Sequence, residues 1–364
     1  MIAPRIEIDL AKIQENARIL VNRLAPVGIS VTGVTKAVLG SSKVANAMLK
    51  GGVHNLCDSR MDNIESLRNG DVSSSISLIR SPMLSQVDRV VQHASISFNT
   101  ELEVIRSLSV AAQKLNCIHE ILLMVELGDL REGILPEDIE KILTEAVRLP
   151  NIAFRGIGTN LACRSGVTPN KHNMGILSAL ANSIEDHFDL KVDIVSGGNS
   201  ANLLWALSGV DSGRINNLRL GESILLGREP LHSQPIEGLS IDAFTLVAEV
   251  IETKTKKSQP SGDIGETSFG MVTKANDRGL IRQSIVALGH QDTDPEGITP
   301  ISTGINVLGS SSDHVILDDL EFKLVIGSEV SFNQNYSALI RSMASPFVTK
   351  IFKNDADNHN TVPT

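Results

Sequence analysis

The sequence predicts an α/β fold: a (β/α)8 barrel of the TIM type followed by a mostly β C-terminal domain. Three observations carry this. Short β-rich runs alternate with helical patterns eight times between residues 30 and 227, and such alternation implies a parallel sheet. Eight units in about 200 residues is the size of a barrel. The turn after the first of these strands reads VTKAVLGSS, with a lysine and no GxGxxG fingerprint, which argues against an open, doubly wound dinucleotide-binding sheet.

Taken in order, Arg5–Asp9 alternates as a strand should, and Leu10–Leu24 has a helical pattern. The eight barrel strands are expected at 30–36, 55–59, 75–82, 94–99, 121–128, 152–161, 192–200 and 218–227. Helices are expected at 41–50, 60–69, 101–115, 136–149 and 171–187, with Ser41 or Ser42 and Ser59 placed to cap exposed backbone N–H groups. After Gly227 the rhythm changes. Pro230 and Pro235 mark a linker, and β-type runs follow at 244–253, 284–288, 315–317 and 322–326. The domain boundaries expected are therefore 11–228 for the barrel and 229–352 for the β domain, which the strand within residues 1–10 would join. A disordered tail is expected at 353–364, a polar stretch.

Composition narrows the class. The 364 residues carry 33 Lys+Arg against 42 Asp+Glu, a net charge of -9, and an acidic chain without a basic run argues against a nucleic-acid partner. Cys57, Cys117 and Cys163 are far apart and odd in number, so neither a disulfide framework nor a zinc pair is indicated. The start, MIAPRIEIDL, carries acids and lacks a long apolar core. No apolar run approaches the roughly 20 residues that span a bilayer. A cytoplasmic protein that acts on a small molecule, with no membrane contact, is the expectation.

Barrel enzymes place their chemistry at the carboxyl ends of the strands. The first end presents Lys36, whose amine could serve as nucleophile or base once partly desolvated, although a rim lysine with its head in water is the ordinary case. The seventh presents GGNSAN. Its two glycines let the backbone approach a ligand, and Ser200 stands near a helix start that favours an anion. The eighth presents LRLGE, where Arg219 fixes a positive charge and Gly221 exposes backbone N–H groups. An amine, a phosphate cup and a fixed arginine together suit pyridoxal 5'-phosphate, whose aldehyde, phosphate and ring nitrogen need those three partners.

At these motifs the sequence resembles the alanine-racemase-like, fold-type III family of pyridoxal-phosphate enzymes. VTGVTKA, GGNSAN and LRLGESILLG occur in the family's order, and the resemblance continues through the C-terminal β domain. HQDTDPEGITP and LGSSSDHVILDD look most like the racemases that act on ornithine or lysine. The resemblance implies that Lys36 is the Schiff-base lysine. It implies that Ser200 and the backbone N–H groups of Gly221 and Glu222 hold the phosphate, and that Arg219 bonds the ring nitrogen. Arg131 would lie near the phenolic oxygen, and Asn160 would stand where alanine racemases have a histidine behind the ring. It also implies a homodimer with shared active sites.

Three positions depart from the family pattern. Gly40 stands where a tyrosine is usual, and Phe352 stands where a phosphate-binding tyrosine is common. The tyrosine base is missing: Gly289-His290 occupies its place, and the sole tyrosine is Tyr336. His290 is therefore the candidate second base. Asp292, Asp294, Glu296 and Asp313 are available to accept a diamino acid's distal ammonium, although acidic turns are usually just solvated, and Asp292, Ser312 and Asp313 are the candidate substrate-binding residues. The expected activity is racemisation of ornithine or lysine by two-base proton transfer at Cα. The competing readings are a decarboxylase of the same fold, for which Glu222 could supply an acidic ring partner, and a non-catalytic pyridoxal-phosphate carrier, which would usually lack the C-terminal domain. A metal-dependent aldolase or dehydratase would need a paired His/Cys signature that is absent from the sequence.

Overall fold

The computed structural model describes residues 2–266, 268, 276–319 and 322–353. In chain order the elements are β1 (Arg5–Asp9), α1 (Leu10–Leu24), β2 (Ser30–Val34), α2 (Ser42–Lys50), β3 (Asn55–Asp58), α3 (Met61–Asn69), β4 (Ser75–Leu78), α4 (Val87–His93) and β5 (Ile96–Asn99). Then follow α5 (Leu102–Lys114), β6 (His119–Val125), α6 (Ile139–Ala146), β7 (Ile152–Thr159), α7 (Lys171–Phe188), β8 (Ile194–Ser196), α8 (Leu203–Ala206), β9 (Asn217–Leu220) and α9 (Glu222–Leu226). Beyond these lie β10 (Phe244–Lys257), β11 (Leu280–Ala287), β12 (Ile298–Pro300), β13 (Asn306–Ser310), β14 (His314–Asp318), β15 (Glu329–Gln334), α10 (Tyr336–Ala344) and β16 (Thr349–Lys353).

Strands β2 to β9 close into a parallel eight-stranded barrel, so all eight expected strands form and the TIM-type fold is observed. Ile96, Phe98, Leu122 and Met124 form a buried cluster, with Ile79 and Ile194 packed against it. The helices start and stop where local chemistry demands. Ser41 caps α2 by accepting from Val44 N at 3.5 Å. Ser59 does not cap α3. Instead the Asp58 carboxylate, at the end of β3, accepts from Arg60 N at 3.0 Å. Helix α4 is an addition to the expected set. It is short, and Val90 and Val91 are its buried residues.

The chain forms two compact units, Leu10–Ile241 and a second made of the residues up to Asp9 together with those from Asp242 onward. Residues 229–241 belong to the barrel unit. Ile236 N donates to Gly227 O at 2.8 Å, and Asn16 on α1 donates to Ser240 O at 2.9 Å and accepts from Ser240 N.

The second unit is a mostly antiparallel sheet ordered β12-β15-β10-β11-β14-β13, with β1 pairing both β10 and β16. Strand β1 runs antiparallel to β10 and parallel to β16. Long strand β10 carries an irregularity between Val250 and Glu252, where its pairing with β11 begins. Residues 322–326, expected as a strand, form a turn. Asp319 sets it, with its backbone O accepting from Phe322 and Lys323 N and its Oδ2 accepting from Leu324 N. Lys353, expected in the tail, ends β16, and residues 354–364 of that expected tail lie outside the described residues. Among the described residues no helix is long and apolar enough to cross a membrane.

Candidate active site

At the end of β2 the chain turns at once, and half-buried Lys36 opens a 3-10 turn, Lys36–Val38. The preceding residue fixes this turn. Thr35 Oγ1 donates to Asp58 Oδ2 at 2.7 Å, and Thr35 N donates to Cys57 O. Asp58 also accepts from Asn63 Nδ2 at 2.9 Å. Burial raises the Asp58 carboxyl above its ordinary value while these hydrogen bonds oppose the rise. Gly40 closes the turn with φ +64°, and a Cβ there would meet Asn63 O at 2.4 Å. A large side chain at this position would require a different path for the backbone, which is a physical reason for the glycine.

The turns after β8 and β9 are tied together. Gly198 has φ +141°, and a Cβ on it would strike Asn202 Oδ1 at 2.3 Å. Asn199 caps the following turn by accepting from Ala201 N at 2.8 Å. Ser200 Oγ lies 3.0 Å from Ser223 Oγ and accepts from Ser223 N at 3.2 Å. A Cβ on Gly221 would meet Val34 Cβ at 3.0 Å, so β2 and the start of α9 run close together at this rim. The resulting donor set is two hydroxyls and the N–H groups of the first turn of α9, at Gly221 and Glu222, which have no partner within a helix. Neutral donors of this kind suit a phosphate.

Arg219 points into the barrel and is 3% exposed. Its Nη1 donates to Ser196 Oγ, and its Nη2 donates to Thr159 O at 2.7 Å and to Asn160 Oδ1 at 3.4 Å. The guanidinium carbon lies 5.2 Å from the centre of the Phe98 ring, a cation–π distance. Burial pulls its pKa down to about 10, which still leaves it charged at neutral pH. None of its hydrogen-bond partners is a carboxylate. Asn160 is brought against it, as well as against Asn199 and the Cys163 thiol, which accepts from Asn160 Nδ2 at 3.0 Å. The Glu222 carboxyl is pushed up to about 7 by burial, with Glu229 adding to the rise and Lys36 opposing it. Arg131 sits on an exposed loop, where its Nε pairs with Glu132 at 2.9 Å and its backbone N donates to Glu126.

The remaining expected residues cluster within the second unit. A Cβ on Gly289 would meet Ser312 O at 2.3 Å, so two turns cross here with no room for a side chain. His290 N donates to Ser311 O at 3.0 Å, and Gln291 N donates to Ser312 O. His290 Nε2 lies 3.1 Å from Ser310 Oγ, and Asp313 accepts from Gln291 Nε2 at 2.8 Å. Asp292 is turned inward and accepts from Gly289 N at 2.9 Å, and burial raises its carboxyl above the ordinary value. Ser312 and Asp313 are exposed. The structure thus gathers Lys36, Ser200, Arg219, Gly221, Glu222 and Asn160 at the strand ends of the barrel. It gathers His290, Asp292, Ser312 and Asp313 in one turn cluster of the other unit.

Sequence reading missed Thr35 and Asp58 behind the lysine, Ser223 beside Ser200, and Ser196, Asn199 and Phe98 around the arginine. The i, i+2 spacing of Asn217 and Arg219 on one strand was the available signal that a polar face points inward.

Residues 8–229 match the family model described as alanine racemase, N-terminal domain. The chain is 37% identical over 350 residues to an ornithine racemase of Acetoanaerobium sticklandii, covering 95% of this chain and 99% of that protein. It is 35% identical over 354 residues to a lysine racemase of Thermotoga maritima, covering 97% and 99%. The fold superposes with a TM-score of 0.76 on an alanine racemase of Streptomyces lavendulae at 16% identity, over 99% of this chain and all of that one.

Proposed function

The chain belongs to the alanine racemase family and is an amino-acid racemase, an isomerase; from this premise we propose that it works with pyridoxal 5'-phosphate on Lys36 and interconverts L- and D-ornithine, with lysine the poorer substrate. The observation that carries the cofactor is the donor set at the barrel mouth: an amine at Lys36, neutral donors at Ser200, Ser223, Gly221 and Glu222, and a buried guanidinium at Arg219. The chemistry of that set fits the group. The substrate rests on the identity to the ornithine racemase, which extends over nearly the whole chain.

Bound there, the cofactor would make the Cα–H of an attached amino acid acidic by delocalising its electron pair. The residues of the chain do the rest. The Lys36 amine takes or returns the proton on one face of Cα. His290 of the partner subunit serves the other face in a homodimer with shared sites, and its Ser310 contact orients the ring. Ser200, Ser223 and the first turn of α9 hold the phosphate. Arg219 would donate to the ring nitrogen and, since it does not readily hand over a proton, would favour proton return at Cα that is tightly coupled to removal. Arg131 and Asn160 flank the ring. Asp313 is the better candidate to accept a distal ammonium, since it is exposed whereas Asp292 is turned inward. A decarboxylase reading, which favours an acidic ring partner, finds none among the hydrogen bonds of Arg219. A carrier reading leaves the eight-stranded sheet of the second unit without a role. We assign the enzyme to the cytoplasm.

Racemisation measured by chiral chromatography across alanine, serine, lysine, ornithine and arginine tests this function. Ornithine should show the highest kcat/KM. Faster turnover of alanine than of either diamino acid would overturn the substrate.

A further inference from the structure

Behind the guanidinium of Arg219 runs a chain of hydrogen bonds that the chemistry above does not use. Arg219 Nη1 donates to the Ser196 hydroxyl. Ser196 Oγ donates to Asn217 Oδ1 at 2.8 Å. Asn217 Nδ2 donates to Thr32 Oγ1 at 2.9 Å and to Ser30 Oγ at 3.2 Å. The chain ends at a cavity of about 180 Å³ lined by Ser30, Thr32, Asn55, Ser77 and Asn217 among others. These strand-start residues put the cavity at the barrel end opposite the catalytic mouth. Barrels of this type are ordinarily filled by layers of branched apolar side chains. Ser196, Asn217 and Thr32 are all buried instead, and buried polar groups are tolerated only when bonded.

Every dipole in the chain has the same sense. The serine oxygen faces the guanidinium and its proton points away. The amide of Asn217 turns its oxygen toward Ser196 and its hydrogens toward the hydroxyls of β2. The negative ends therefore all face the cation, and aligned hydrogen bonds polarise one another. No link carries a formal charge. A carboxylate in the place of either residue would also hold the arginine, but it would cancel much of the arginine's field at the mouth.

The geometry points to Ser196 and Asn217 as positioning residues that hold the Arg219 guanidinium and keep its charge uncompensated toward the cofactor's ring nitrogen. This rests on Arg219 contacting that ring, as proposed above. Residues that merely filled the barrel would affect folding and leave the cofactor's electronic state alone.

Asn217→Asp separates the two cases. It keeps the shape and the acceptor for Ser196 while placing a negative charge one link from the guanidinium. In the holoenzyme, the pH midpoint of the bound cofactor's absorbance should rise by about one unit. The kcat should fall about tenfold with KM little changed, and cofactor affinity should hold within about twofold. Ser196→Ala breaks the first link and serves if Asn217→Asp does not fold; it should alter the same midpoint and lower kcat. Wild-type midpoint and kcat in the folded chain variants would overturn the inference. Arg219→Leu distinguishes the levels. If it changes the spectrum while the chain variants do not, only the positioning role falls. If it leaves the spectrum unchanged, the contact of Arg219 with the ring falls, and the positioning role with it.

Discussion

Among the described residues two arginines are buried, one in each unit, and they are treated in opposite ways. Arg5 on β1 is 5% exposed and Arg219 on β9 is 3% exposed. Arg5 is clasped by carboxylates: Glu329 takes both terminal nitrogens at 2.6 and 2.7 Å, and Glu7 takes Nε at 2.8 Å. Its pKa is pushed above the ordinary arginine value, chiefly by the Glu329 hydrogen bonds. Arg219 meets only a hydroxyl, a backbone carbonyl, an amide oxygen and an aromatic face, and burial takes its pKa the other way. A charge that is paired has its field spent locally and serves to join strands. A charge held only by dipoles still acts on whatever enters the site. The partner set, and not burial, separates the structural arginine from the one proposed to act on the cofactor.

The comparison can be broken most forcefully at Arg219. Replacing it by Leu should lower kcat by about 10²–10³-fold, the usual loss for one preorganised donor. The melting temperature should hold or rise, because a desolvated charge without an ionic partner is removed. A steady-state assay beside a thermal melt would show it, and a large fall in melting temperature would mean that Arg219 is structural after all. Arg5→Leu should do the reverse. Leaving Glu7 and Glu329 without their arginine should cost about 3 kcal/mol, the low end for a broken buried pair because Glu329 is partly exposed. The activity of the molecules that stay folded should be retained. Chemical denaturation reads the first quantity, and a denaturation midpoint equal to wild type would erase the contrast.

His119 sharpens the same point at smaller scale. It is buried against Ser97 at 2.8 Å, and burial lowers its pKa from 6.5 to about 4. The unfolded chain therefore binds the extra proton at higher pH than the native one does. Stability should fall as pH drops from about 6.5 toward 4, by an amount on the order of 3 kcal/mol, and should be level with respect to this group above that window. His119→Gln should flatten that slope in denaturation curves recorded across the window. An unchanged slope would show that His119 is not the group responsible.

Much of this was legible in the sequence, for definite reasons. The alternation of short β-rich runs with helical patterns marks a parallel sheet, so the eight barrel strands could be placed. Lys36, Ser200 and Arg219 could be singled out as candidates because strand ends carry the chemistry in this fold. The edge strands Ile298–Pro300 and Thr349–Lys353 were not legible, since they are short and owe their existence to partners far along the chain. Residues 322–326 show the opposite failure: an apolar run that forms a turn because Asp319 gathers its backbone N–H groups. Ser196 and Asn217 were missed because a polar residue within a strand reads as an outward face, whereas here it points into the barrel.

The pairing of β1 bears on how the polypeptide is made. Of the elements described, this strand is made first, yet its sheet neighbours β10 and β16 begin at Phe244 and Thr349. At ordinary translation speeds it waits on the order of ten to fifty seconds for the first of them. The barrel, whose strands are continuous in the chain, can form within that interval. The sheet closes last, when β16 pairs with β1, so damage to β16 should be felt as a late failure of maturation in a protein whose barrel is already built.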